Sequence, residues 1–241
     1  MANIIFNADD FGLSKGVNEG IVACYKQGVV NSSSLMTNTK YFDDAVQLIK
    51  LHALPNIGLH FNLTEFQPLL KTHQTLVDAH GSLQRNCTNF QHIDLKEVEL
   101  ELEAQFQKAL DAGVAISHFD SHHHIHMSEL FKKIFLQLSK KHKIPLRNVA
   151  NTYKNPLKRG KHFWLYKNYD FYTQRFSADF YDNAATLKTL IQLINQSKKS
   201  IEIMCHPGFI DAENGIYNEQ RLIELKILTD INLKKLILQQ N

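Results

Sequence analysis

Short apolar runs alternate with longer stretches of helical periodicity along the whole chain, and this alternation limits the folds open to it more than any other feature. Apolar runs at residues 3–8, 29–36, 56–62, 115–121, 145–149 and 200–205 have the length of buried strands. Helical windows fall between them at 15–27, 42–52, 129–142, 184–196 and 219–238. The clearest helix carries Leu95, Val98, Leu102, Phe106 and Ala109 on one face, with Asp94 and Glu97 at capping-box spacing before it and Gly113 after it. Strands separated by helices imply an α/β fold with parallel strands, because parallel neighbours need a crossover and a helix supplies it. Such units either close a barrel or form an open doubly wound sheet, and both arrangements put function at the carboxyl ends of the strands. Residues 63–92 read as a long polar loop. Residues 152–181, rich in aromatic and basic side chains, match neither period.

Four strand ends carry chemistry. The first run stops at Asn7-Ala8-Asp9-Asp10-Phe11-Gly12, where adjacent carboxylates repel unless a cation or proton relieves them. In Gly58-Leu59-His60-Phe61-Asn62, alternation puts His60 and Asn62 on the face opposite Ile57, Leu59 and Phe61. The third end, His118-Phe119-Asp120-Ser121-His122-His123-His124-Ile125-His126, holds five of the chain's 13 histidines. Period two groups His118, Asp120, His122, His124 and His126 together, with Phe119 and Ile125 opposite, so His122 and His124 are both candidate ligands. The fourth run ends at Cys205-His206-Pro207-Gly208. Asp with two His is a donor set for a divalent ion that leaves positions open for water and substrate. A second Asp and a further His then remain as base and acid.

The rest of the sequence excludes other classes. Three separated cysteines, Cys24, Cys87 and Cys205, give neither a disulfide framework nor a zinc ribbon, and they suit a reducing cytoplasm. A net charge of +3 without a basic block does not suit nucleic acid. The start has no signal-peptide pattern, and no window approaches the ~20 apolar residues of a membrane span. Phosphate loops of the G-x-x-x-x-G-K type and G-x-S-x-G elbows do not occur. Leu228, Ile231, Leu236 and Leu238 in the final helix leave a homodimer contact open.

The segments NADDFGLSKGVNEGI, GLHFNLT, HFDSHHHIHM and CHPG, in this order from Asn7 to Gly208, resemble the YdjC-type carbohydrate deacetylases, which include chitooligosaccharide (diacetylchitobiose) deacetylases. The resemblance implies a distorted TIM-like (β/α) barrel formed as a single domain over residues 1–241. It implies one divalent ion, Mg or Zn before Mn, Co or Ni, held by Asp10, His60 and His122. Asp9 is then the expected general base and His206 the general acid, with Arg147 and His124 near the substrate. The implied reaction frees acetate from an acetylated oligosaccharide. A metal-dependent phosphoesterase and a non-catalytic sugar-binding protein of the same fold are the rival readings.

Overall fold

The computed structural model describes residues 4–27, 29–85, 92–148, 157, 160, 169–196, 199–212 and 217–239. In chain order the elements are β1 (Ile4–Phe11), α1 (Lys15–Gln27), β2 (Ser32–Leu35), α2 (Phe42–His52), β3 (Ile57–Phe61), α3 (Leu95–Asp111) and β4 (Ile116–Ser121). They continue with a 3₁₀ segment (His122–Met127), α4 (Lys132–His142), β5 (Arg175–Ser177), α5 (Leu187–Gln196), β6 (Ile201–Cys205), α6 (Asn218–Leu228) and α7 (Ile231–Gln239). The strands form one sheet in the order β4-β3-β2-β1-β6-β5, and every pairing is parallel.

Beyond β4 the sheet is extended by a short segment. Phe119 donates to the Pro145 carbonyl at 2.8 Å and Arg147 donates to Phe119 at 2.8 Å. Leu146 in turn donates to Asp170 at 3.1 Å, and Tyr172 donates to Leu146 at 3.0 Å. The sheet curls into a distorted TIM-like half-barrel, with a pair of single-residue bridges at Leu146 beyond its β4 edge. The strand expected at 145–149 is reduced to that bridge, and Val149 lies outside the described residues.

Alternation decides what faces in and what faces out. Phe6, Ala8, Ile201, Ile203 and Cys205 pack outward under the helices in one apolar cluster, and Leu59, Phe61 and Phe119 do so in a second. The alternate residues Asn7, Asp9, Ser34, His60, His118, Asp120 and Glu202 are also buried, and hydrogen bonds and ion pairs link them across the sheet. A polar barrel interior is tolerable only when its groups are paired, and the central pairing group is Arg147. Gly58 belongs to this interior: a Cβ there would stand 2.3 Å from the His118 ring. His118 in turn stacks on Tyr172 at 3.9 Å.

Several expected boundaries move. β1 continues past Ala8 through both aspartates to Phe11, with an irregular register between Ala8 and Phe11 and Asp10 at φ 69°. β2 is confined to Ser32–Leu35. The Asp94–Glu97 capping box does not form. Asp94 accepts from Lys96 N at 2.8 Å, while Glu97 turns to the backbone of residues 74–76. The final helix is two helices, because Thr229 ends one and Asp230 turns its carboxylate to Asn232 N at 2.6 Å to begin the next. Leu228 is buried and Leu236 packs on the core. Of the four apolar residues singled out there, Ile231 alone is known to be exposed, and the Leu238 side chain lies outside the described residues. Cys24 and Cys205 are free and buried, and Cys87 is outside the described residues. No described helix is long and apolar enough to cross a membrane.

Candidate active site

A cavity of about 700 Å³ opens at the carboxyl ends of the strands, and Asp9, Asp10, His60, His122, His124 and His206 all line it. The long loop and the unassigned region both reach it, through Glu65, Phe66 and Arg85 from the first and Ala178 and Tyr181 from the second. Its volume is in the range of small-molecule sites, which run to roughly 300–1,000 Å³.

Asp10, His60 and His122 could hold a metal ion. Asp10 Oδ1 lies 3.3 Å from His60 Nε2 and 3.0 Å from His122 Nδ1, yet it makes no hydrogen bond of good geometry. Ligands about 2.1 Å from a common ion stand roughly 3.0–3.4 Å apart, so these separations fit a shared cation. The far nitrogen of each imidazole meets a carboxylate. His60 Nδ1 donates to Asp120 at 2.8 Å, and His122 Nε2 meets Glu65 Oε2 at 3.3 Å. That arrangement fixes tautomer and ring orientation in metal-binding histidines. Asp10's other oxygen accepts from Arg221 at 2.6 Å.

The electrostatics show the same demand for positive charge. Burial pushes the Asp10 carboxyl up, but Arg221 and His122 outweigh it and hold the group well below its usual value. Burial would lower His60, whereas Asp120 and Asp9 beside it raise it to about 10. His122 is likewise raised, by Asp10 against the effect of burial. Protons on these rings answer the surplus of carboxylate charge that a bound cation would otherwise answer.

Asp9 is held differently. Arg147 Nη1 donates to its Oδ2 at 2.8 Å, Arg147 Nη2 to its Oδ1 at 2.6 Å, and Asn7 adds a donor to Oδ1 at 2.7 Å. Arg147 also binds Asp120 at 2.5 Å and Glu202 at 2.7 Å. Arg147, expected near the substrate, is thus turned into the barrel interior. It is fully buried, and three carboxyl groups occupy its guanidinium. Burial raises the Asp9 carboxyl, but Arg147 and then His60 bring it below the usual range, so it is ionised. Glu202, the third partner, is pushed up to about 7, first by burial and then by Asp120 and Asp9 against the pull of Arg147.

His206 projects from the end of β6 with Tyr181 and Tyr217 at its edges, 5.4 and 6.0 Å away. Its backbone N–H donates to Glu224, and its Nδ1 has no hydrogen-bond partner among the described residues. Burial holds its imidazolium down to about 4. The loop that carries it is locked against α1, because a Cβ on Gly20 would come within 2.6 Å of Gly208 Cα.

Alternation holds along β4 at His118 and Asp120 and then lapses. His123 and His124 both have φ 52°, and this left-handed pair turns three consecutive histidines, His122 to His124, toward one cavity. His126 falls behind it, bonded to Ser121 at 2.5 Å. Sequence reasoning missed Glu65, Arg221, Tyr181 and Tyr217. Glu65 stands three residues past Asn62 in a segment already singled out, and that was the one signal available.

The profile of the YdjC-like protein family matches residues 3–239. The chain belongs to this family. A carbohydrate deacetylase of Listeria monocytogenes is 38% identical over 98% of this chain and 95% of its own length. A carbohydrate deacetylase of Thermoanaerobacter pseudethanolicus is 34% identical over 100% of this chain and 96% of its own. The crystal structure of a candidate cellobiose-phosphate cleavage protein from Enterococcus faecalis superposes with a TM-score of 0.88 at 30% identity, covering 99% of this chain and 94% of that one.

Proposed function

We propose that this YdjC-family chain, acting as one domain over residues 1–241, is a metal-dependent carbohydrate N-deacetylase. Its substrate is an N-acetylglucosamine-containing oligosaccharide such as diacetylchitobiose, and its products are acetate and a free amino sugar. One observation carries the reading: an ionised Asp9, clamped from behind, beside a convergent Asp10, His60 and His122 in a cavity of sugar size. The names of the relatives support the substrate class.

Asp10, His60 and His122 would hold the ion, which when bound polarises the acetyl carbonyl and lowers the pKa of the attacking water. Asp9 takes the proton from that water. Its Oδ2 accepts one hydrogen bond, from Arg147 Nη1, and so keeps a lone pair for the task. Arg147 and Asn7 keep the carboxylate from swinging away. His206, protonated from solvent once negative charge develops beside it, gives that proton to the leaving amine as the tetrahedral intermediate collapses, and Asp9 returns the water's proton to solvent. Negative charge developing in the cavity raises the proton affinity of an imidazole that burial otherwise keeps neutral. His124, also lining the cavity, is proposed to contact the sugar.

A metal-dependent phosphoesterase is the second reading, because the name of the Enterococcus protein makes a phosphorylated disaccharide a substrate worth testing. The test is product analysis on diacetylchitobiose, longer N-acetylglucosamine oligomers and a phosphorylated disaccharide, with chelated and metal-replete protein. Metal-dependent acetate release is expected. Inorganic phosphate without acetate would replace the deacetylase reading. Asp9→Asn should keep its metal and lose roughly 10²–10⁴-fold in turnover.

A further inference from the structure

Glu65 and His123 face the cavity beside His122, and the chemistry above gives His123 no task. The hydrogen bonds around Thr64 fix its state. The Asn62 amide nitrogen donates to Asn38 Oδ1 at 3.1 Å and to the Glu65 carbonyl at 2.8 Å, so Asn62 Oδ1 is the acceptor. That oxygen receives Thr64 N at 2.9 Å, Glu65 N at 3.1 Å and the Thr64 hydroxyl at 3.1 Å. A hydroxyl has one proton to give. With its proton given to Asn62 Oδ1, Thr64 Oγ1 accepts at its other contact, His123 Nδ1, 2.9 Å away. Nδ1 then carries the ring proton, and Nε2 offers a bare lone pair.

That lone pair lies 3.8 Å from Glu65 Oε1. Two acceptors at this distance repel unless a positive group stands between them. Arg85 approaches Glu65 Oε1 to 3.9 Å from a largely exposed side chain, a contact that water screens. The backbone is held left-handed at Phe66 and His123, φ 65° and 52°, a conformation that disfavours non-glycine residues. Both flank this pair of acceptors. Glu65, His122 and His123 can also bring one ligand atom each within 4.8 Å of one another.

We propose that Glu65 and His123 form a second divalent-cation site at the cavity wall, separate from Asp10, His60 and His122. An oxygen and an imidazole nitrogen suit a borderline ion such as Zn²⁺. Two protein ligands, with water completing the shell, make it weaker than the three-ligand site. Glu65 also meets His122 Nε2, so a second ion draws that carboxylate from His122, and excess cation inhibits. This last consequence alone rests on the function proposed above.

Equilibrium dialysis of the full chain against Zn²⁺, with bound metal read by atomic emission, tests the site. Two ions per chain are expected, the second more than tenfold weaker. His123→Asn, which tolerates a left-handed backbone, should bind one. Glu65→Gln, which removes the proposed carboxylate ligand and leaves the backbone at His123 untouched, should likewise bind one. That variant decides the matter if His123→Asn does not fold, since a second ion kept in it would overturn the site. A second ion kept in His123→Asn overturns it, as does a single ion lost in Asp10→Asn or no bound ion at all. A single ion lost in His123→Asn but kept in Asp10→Asn supports it, and the Asp10, His60 and His122 assignment then fails instead.

Discussion

Arg147 grips both oxygens of Asp9, at 2.8 and 2.6 Å, from inside the barrel. The pair joins the segment beyond β4 to the end of β1 across the curled sheet, so the curl of the sheet and the orientation of the proposed base are coupled. Arg147 is placed there by the backbone bridge at Leu146 and is balanced by Asp120 and Glu202.

Arg147→Lys should therefore lower kcat with little change in KM, because a single ammonium cannot reproduce the two-pronged grip and the residue does not touch the cavity. Arg147→Ala leaves three buried carboxyls unmatched and should cost about 3–5 kcal/mol of stability. Steady-state kinetics and thermal melts check both. A raised KM at unchanged kcat in the lysine variant would return Arg147 to the substrate.

Removing divalent ions should destabilise the protein. An ion present at about 100 times its Kd adds about 2.7 kcal/mol to the folded state. Thermal melts with EDTA and with restored Zn²⁺ or Mg²⁺ should differ by several degrees, and Asp10→Asn should abolish most of the difference. Equal melts for the wild-type protein under both conditions would count against a cation at Asp10.

Acid should remove the stability that a neutral His118 contributes. Burial holds His118 down to about 4, while an unfolded histidine titrates near 6.5. The unfolded chain thus takes up a proton that the folded chain refuses. The stability is whole above pH ~6.5 and falls as pH drops toward 4, by up to about 3 kcal/mol for this ring. Urea unfolding at pH 7, 6 and 5 should show that slope as the difference between the wild type and His118→Asn, and parallel pH dependences would sink the idea.

Gly58→Ala should be among the more damaging small changes. The added carbon would meet three His118 ring atoms at 2.3–2.7 Å. Displacing a ring stacked on Tyr172 should cost roughly 1–3 kcal/mol. A stability assay settles it, and a neutral effect would mean that His118 has room to move.

The sequence exposed most of this site because period two survives in it. Outward Phe6, Ala8, Leu59, Phe61 and Phe119 mark the faces of their strands, and His60 and Asp120 follow on the other side. The pattern fails where the backbone leaves the strand. His123 and His124 enter the cavity through left-handed φ, which period two does not register. Glu97 illustrates the same limit, since its spacing suited a cap but the loop at 74–76 offered three backbone donors instead.

By itself the sequence determined the parallel α/β architecture and which strand ends carry acids and imidazoles. Hydrophobic periodicity and abrupt polar termini are local properties, written in consecutive residues. Tertiary structure decided the role of Arg147 and brought Arg221 to Asp10 from 211 positions away and Glu65 to His122 from 57. Those pairings arise only when neighbouring parallel strands bring their carboxyl ends side by side. Burial there makes each charge depend on its partners, and spacing along the chain carries no record of them.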